Sequence, residues 1–166
     1  MVRLILSLIF LIVAVAFPSD RSIPFLKPSF LNLKEDLEEA KKEGKYLFLM
    51  FEEEGCPFCD KMKRVTFQDP KVKEYFSKHF YMVIVDRRGS NPVVDFSGKQ
   101  ITEKQLAMDY KVRGTPVFVF VDHEGKTILR VIGYIPPEEF LLMGKFVAEG
   151  HYKNMNFFQF KEKYKK

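Results

Sequence analysis

The sequence predicts an α/β fold: a central mixed β-sheet flanked by helices, with a helical extension before it and a short tail after it. Three observations carry this reading. Residues 46–51, 81–86 and 117–121 are continuous apolar runs, the composition of strands buried on both faces. Segments with helical spacing of apolar residues separate these runs. The turn Asp122-His123-Glu124-Gly125 then leads into a fourth strand at 127–132. Strand–helix alternation implies parallel pairing through right-handed crossovers, and the late hairpin adds an antiparallel pair.

Each element has a local cause. Asn32 can cap a helix over 33–43, with Glu35 three residues on, Leu33, Leu37 and Ala40 on one face, and Gly44 as the stop. After the first strand, Cys56-Pro57-Phe58-Cys59 opens a helix that runs to about Phe67, with Pro57 tolerated in its first turn. Asp69-Pro70 restarts a helix that reaches about Lys78. Residues 87–100 hold several turn formers and read as a loop. Thr102 caps a short helix to Tyr110. The last helix, 136–149, turns Phe140, Leu141, Met143, Gly144 and Val147 toward the sheet. Met50, Met62 and Met143 read as core fillers.

The 166 residues suit one domain, placed at 33–150, plus a targeting segment and short extensions. Residues 1–16 have the layout of a secretory signal: Arg3, an apolar run over 4–13, and Ala14-Val15-Ala16 as the cleavage site. The apolar run is short for a membrane span, which needs about 20 residues. An uncleaved N-terminal anchor is the competing reading. Either one places the working domain outside the cytoplasm, in the periplasm. Residues 17–32, rich in Pro and Ser, read as a linker, and 151–166 as a tail whose Phe157, Phe158 and Phe160 pack back on the domain. The net charge of +5 comes from Lys interspersed with Glu, as over 35–45, which is a solvated helix face rather than a nucleic-acid surface.

The two cysteines, Cys56 and Cys59, are the only ones in the chain. A bridge between them closes too short a loop to be a major staple, so chemistry is the better reason for it. A helix start offers unpaired N–H groups and a positive dipole end, which favour a thiolate at Cys56. Cys59 lies one turn on and can close the disulfide. The implied chemistry is attack through a mixed disulfide, resolved by the second cysteine. No cofactor beyond the two thiols is needed. Asp60 follows Cys59 where haem attachment requires His, and structural zinc requires four ligands. Cu(I) held by the same two thiolates stays open as a binding-protein alternative.

A second signature, Tyr110-Lys111-Val112-Arg113-Gly114-Thr115-Pro116-Val117, lies the right distance downstream. With the Cys pair it makes residues 44–149 resemble the thioredoxin superfamily. The Gly133-Tyr134 break before the last helix fits the same layout. The resemblance implies a cis Pro116 facing the Cys pair, with Thr115 and Pro116 docking substrate. Thr66-Phe67-Gln68-Asp69-Pro70-Lys71-Val72 and the 150–160 tail are similar to exported, SoxW-type members. That similarity implies a reductase of protein disulfides fed by a membrane electron donor, and a monomer. A disulfide-donating oxidase is the opposite direction for the same site. Two features depart from the family: Gly55 stands where Trp usually precedes the first Cys, and Met50 aligns with the usual buried acid. Glu52, Glu53 or Glu54 could supply that acid. Phe58 is a candidate apolar contact for partners. His79 reads as a helix C-terminal cation, and His123 as an exposed turn residue.

Overall fold

The computed structural model describes residues 22–164. The secretory-signal reading of 1–16 therefore lies outside the described residues. A four-stranded sheet forms the centre. β1 (Tyr46–Glu52) pairs parallel with β2 (Phe80–Asp86) and antiparallel with β5 (Val117–Val121), which in turn pairs antiparallel with β6 (Thr127–Ile132). This is the expected mixed sheet.

Alternation along β1 explains its unbroken apolar run. Phe48 and Met50 point to one face and Leu47, Leu49 and Phe51 to the other, and all five are fully buried. The second face is covered by α1 (Leu33–Lys42) and α4 (Glu103–Asp109), through Leu33, Leu37, Ala40, Leu106 and Ala107. The first is covered by α2 (Pro57–Arg64), α3 (Pro70–His79) and α5 (Pro137–Ala148). Phenylalanine dominates there. Phe76 stacks on Phe140 at 4.4 Å and on Phe80 at 4.7 Å, and Phe48 stacks on Phe120 at 4.9 Å. Gly144 makes the α3–α5 approach possible, because a Cβ there would stand 2.8 Å from the Phe76 ring. Met50, Met62 and Met143 lie buried in this core, as expected.

The register of β1 with β5 positions the site. Phe51 is paired with Val117, so the chain leaving β1 and the chain entering β5 meet at one end of the sheet. The two stretches with functional signatures, 53–59 and 110–117, are thereby neighbours.

Several segments differ from the sequence expectation. Residues 22–32, part of the stretch expected to be a linker, are packed. Phe25 is fully buried against Phe67 and Phe76, both at 5.4 Å. Met82 N–H donates to the Phe25 carbonyl at 2.7 Å and Lys27 N–H to the Met82 carbonyl at 2.9 Å, so the segment adds a bridge to the edge of β2. Pro24 and Pro28 mask this in sequence, yet proline is tolerated at a sheet edge. The stretch expected to be a loop over 87–100 carries β3 (Pro92–Val94) and leads into β4 (Gln100–Thr102), a hairpin with strands too short to show a period. α2 ends at Arg64 and gives way to a 3-10 turn at Thr66–Gln68. The tail folds into a 3-10 turn at His151–Lys153 and α6 (Phe157–Tyr164). Phe160 is buried and Phe157 sits 5.5 Å from Phe146, whereas Phe158 is exposed. His123 is half-buried rather than exposed: it stacks on Tyr46 at 4.5 Å, with Nε2 3.2 Å from the Lys45 carbonyl. His79 is the last residue of α3, as expected; its ring lies 4.5 Å from Tyr75 in a tilted arrangement, and burial holds its pKa below the usual imidazole value.

Phe25 and Phe30 test the packed N-terminal segment. Phe25→Ala should lose about 3 kcal/mol in urea unfolding, the cost of truncating a buried Phe. Phe30→Ala, at a fully exposed ring, should leave the midpoint unchanged. Equal effects would return the segment to a linker.

Candidate active site

Cys56 is the N-cap of α2 and Pro57 is its first residue. Proline fits here because the first turn has no carbonyl to receive its N–H. Gly55, with φ 72°, makes the left-handed turn that carries the chain from β1 into the helix. Cys56 and Cys59 form a disulfide, with Cα atoms 5.3 Å apart. Cys59 N–H donates to Cys56 Sγ at 3.1 Å, the bond a capping side chain makes. A thiolate released at Cys56 on reduction meets that donor and the positive end of α2. Cys56 is 8% exposed and Cys59 2%, so the cysteine at the helix start is the more accessible of the two. Phe58 projects beside them at 57% exposure.

The Thr115–Pro116 peptide bond is cis. Pro116 is buried, and its carbonyl accepts from Gly133 N–H at 2.8 Å, which ties this loop to the chain leaving β6. That chain is fastened to α2 in turn. Ile135 N–H lies 3.3 Å from Met62 Sδ, Thr66 Oγ1 donates to the Ile135 carbonyl at 2.6 Å, and Lys61 Nζ sits 4.1 Å from the Tyr134 ring centroid. The early end of α2 follows from this last set: Thr66 turns inward to hold the loop.

Glu53 is the one acid of the three that joins the functional loops. Its Oε1 accepts from Thr115 Oγ1 at 3.1 Å, and its Oε2 meets Arg87 Nη2 and Arg88 Nε, both at 2.7 Å. Arg87 Nη1 also donates to the Arg113 carbonyl at 3.3 Å. One carboxylate thus clamps the stretch before Cys56, the chain after β2 and the cis-proline loop. The Arg87 hydrogen bond, with Thr115 and Arg88 adding to it, holds the Glu53 carboxyl below its ordinary pKa. Glu52 pairs instead with Lys63 at 2.5 Å, and Glu54 is exposed. Sequence reasoning named Glu53 only as one of three loop acids for proton transfer, and gave no signal for Arg87. Their pairing depends on the β1–β2 register, which sets Glu52 beside Asp86.

A cysteine pair bridged across the first turn of a helix can carry out thiol–disulfide exchange. A thioredoxin-like domain model matches residues 33–148. The chain belongs to that family and has the thioredoxin fold. Among curated proteins it is similar to the disulfide bond reductase DsbH of Chlamydia pneumoniae, with 33% identity over 103 residues. That match covers 61% of this chain and 60% of the relative, so the chain spans less than two thirds of the relative's length. Among solved structures, a thioredoxin-fold protein from Helicobacter pylori aligns with TM-score 0.70 and 24% identity, covering 86% of this chain and 88% of that one. A thioredoxin from Thermus thermophilus aligns with TM-score 0.56 and 28% identity, covering 72% and 88%.

The clamp predicts a pH dependence. A carboxyl whose pKa is lowered by folding adds stability above its unfolded value, near 4.5, and that stability is lost as pH falls through the folded value. Thermal unfolding of wild type and Glu53→Gln should therefore differ at pH 7, with wild type higher. The gap should narrow as the pH is taken well below 4.5. A gap that does not change with pH would mean that the charge on Glu53 is irrelevant.

Proposed function

We propose that the protein reduces disulfides in other proteins outside the cytoplasm. The carrying observation is Cys56 Sγ at the α2 N-terminus, accepting the Cys59 amide and bonded to a less accessible Cys59. In the reduced enzyme the Cys56 thiolate attacks one sulfur of a substrate disulfide. That S–S bond breaks, a mixed disulfide forms, and the second substrate sulfur leaves as a thiolate that takes a proton. Cys59 then loses its proton and attacks Cys56 Sγ, the mixed disulfide breaks, and the first substrate sulfur leaves as a thiolate that takes up a proton. The products are a substrate dithiol and the Cys56–Cys59 disulfide, with two electrons transferred. Thr115 and Pro116 dock the substrate backbone beside the sulfurs, as the resemblance implies, and Phe58 offers an apolar contact. No cofactor takes part beyond the two thiols.

Three things support the direction and the compartment. The relative from Chlamydia pneumoniae carries the name of a reductase. Residues 1–16 have the pattern of an export signal. Stable disulfide substrates are found in oxidising compartments. Each turnover leaves the enzyme oxidised, so a dithiol donor must regenerate it, and a membrane protein that carries electrons outward fits that need. Among the described residues no helix is long and apolar enough to cross a membrane.

Trapping tests the mechanism. Cys59→Ser should stop turnover and accumulate a mixed disulfide with a protein disulfide substrate, seen as a mass increase that dithiothreitol reverses. Cys56→Ser should stop turnover and trap nothing. Trapping by Cys56→Ser instead would exchange the two roles.

A further inference from the structure

On the flank of the cis-proline loop lies a groove of about 450 Å³. Its apolar lining is Tyr110 and Ile132, the latter 62% exposed, over a fully buried Val117. It opens at Gly114, one residue before Thr115, and runs along β6, the edge strand of the sheet. Three cations stand at its rim: Lys111, Arg113 and Arg130. Arg130 is fixed by main-chain carbonyls, with Nε on Tyr110 O and Nη2 on Lys111 O, both at 3.1 Å. Among the described residues none of the three has a carboxylate within ion-pair distance. The one acid of the lining, Asp109, accepts from Gln105 Nε2 at 2.8 Å on its own helix. Near the sulfurs other cations are paired, Lys63 with Glu52 and Arg87 and Arg88 with Glu53, so the unpaired positive charge beside the cis-proline loop gathers at this groove.

Unneutralised cations around an apolar floor make a local positive potential that steers acidic partners and penalises basic ones. We propose that this groove is a specificity subsite that binds an acidic, extended segment of the substrate protein, next to its disulfide. An aliphatic side chain of that segment rests on Tyr110 and Ile132, and carboxylates on either side of it meet Lys111, Arg113 and Arg130. The segment continues from the stretch docked on Thr115 and Pro116. The inference rests on the protein-disulfide reading above. It adds a choice among substrates by charge, through residues that take no part in the exchange itself.

The test uses peptides with one internal disulfide that differ only in the three residues beside one cysteine: Asp-Leu-Glu, Ser-Leu-Ser or Lys-Leu-Lys. Binding of each oxidised, fluorescently labelled peptide to the Cys56→Ser variant is read by anisotropy, and turnover by the wild type is read as kcat/KM. The acidic peptide should bind about tenfold more tightly than the basic one and show the same preference in kcat/KM. That preference should collapse toward 1 M salt, where screening acts within about 3 Å. The double variant K111E/R113E, altered at two exposed side chains, should invert the preference and leave the Ser-Leu-Ser peptide unchanged. Equal binding of the acidic and basic peptides overturns the subsite. Preferential binding of the acidic peptide with no turnover of any peptide upholds the subsite and overturns the reductase reading instead.

Discussion

At the start of α2 the Cys59 amide donates to Cys56 Sγ, and the chemistry of the molecule depends on that one bond. It is possible only because Cys56 is the cap of a helix, with Gly55 and Pro57 shaping the turn on either side. Among the described residues Cys56 Sγ accepts this single hydrogen bond. The site therefore favours a thiolate without surrounding it with donors. Strong stabilisation of the reduced form is what makes a dithiol pair an oxidant, and the proposed reducing direction requires that this stabilisation be modest.

The rest of the fold holds this cap opposite the cis-proline loop. Pairing of β1 with β5 brings the two stretches to one end of the sheet, and the Phe-rich core beneath keeps α2, α3 and α5 in fixed relation. Two tethers complete the frame. Glu53 with Arg87 and Thr115 joins the loops on one side, and Met62 and Thr66 hold the chain after β6 on the other. In this frame the exchange site and the basic groove have separate tasks. The sulfurs set what reaction occurs, and the rim cations bear on which proteins reach it.

Much of this was legible in the sequence because its signals are local. The unbroken apolar runs gave the sheet, and Cys-Pro-x-Cys after a strand gave the cap and the disulfide. Arg-Gly-Thr-Pro gave the cis bond through its likeness to a family. What stayed hidden depends on register. Arg87 looks like one more loop cation until β2 is set beside β1. Phe25 looks like a linker residue between prolines until its backbone meets Met82. His123 looks exposed until Tyr46 is found under it. The 92–102 hairpin escapes because three-residue strands carry no readable period. For Arg87, Phe25 and His123 the deciding contact lies far along the chain, where no local pattern reports it.

The most direct measurement is the reduction potential of the Cys56–Cys59 pair, from equilibration in thiol buffers of defined composition. A site with one backbone donor to Cys56 and a reducing role should lie near about −270 mV, at the thioredoxin end of the range. A value near about −120 mV would show a strongly stabilised reduced form, a protein that donates disulfides, and would contradict the direction of electron flow argued from the site.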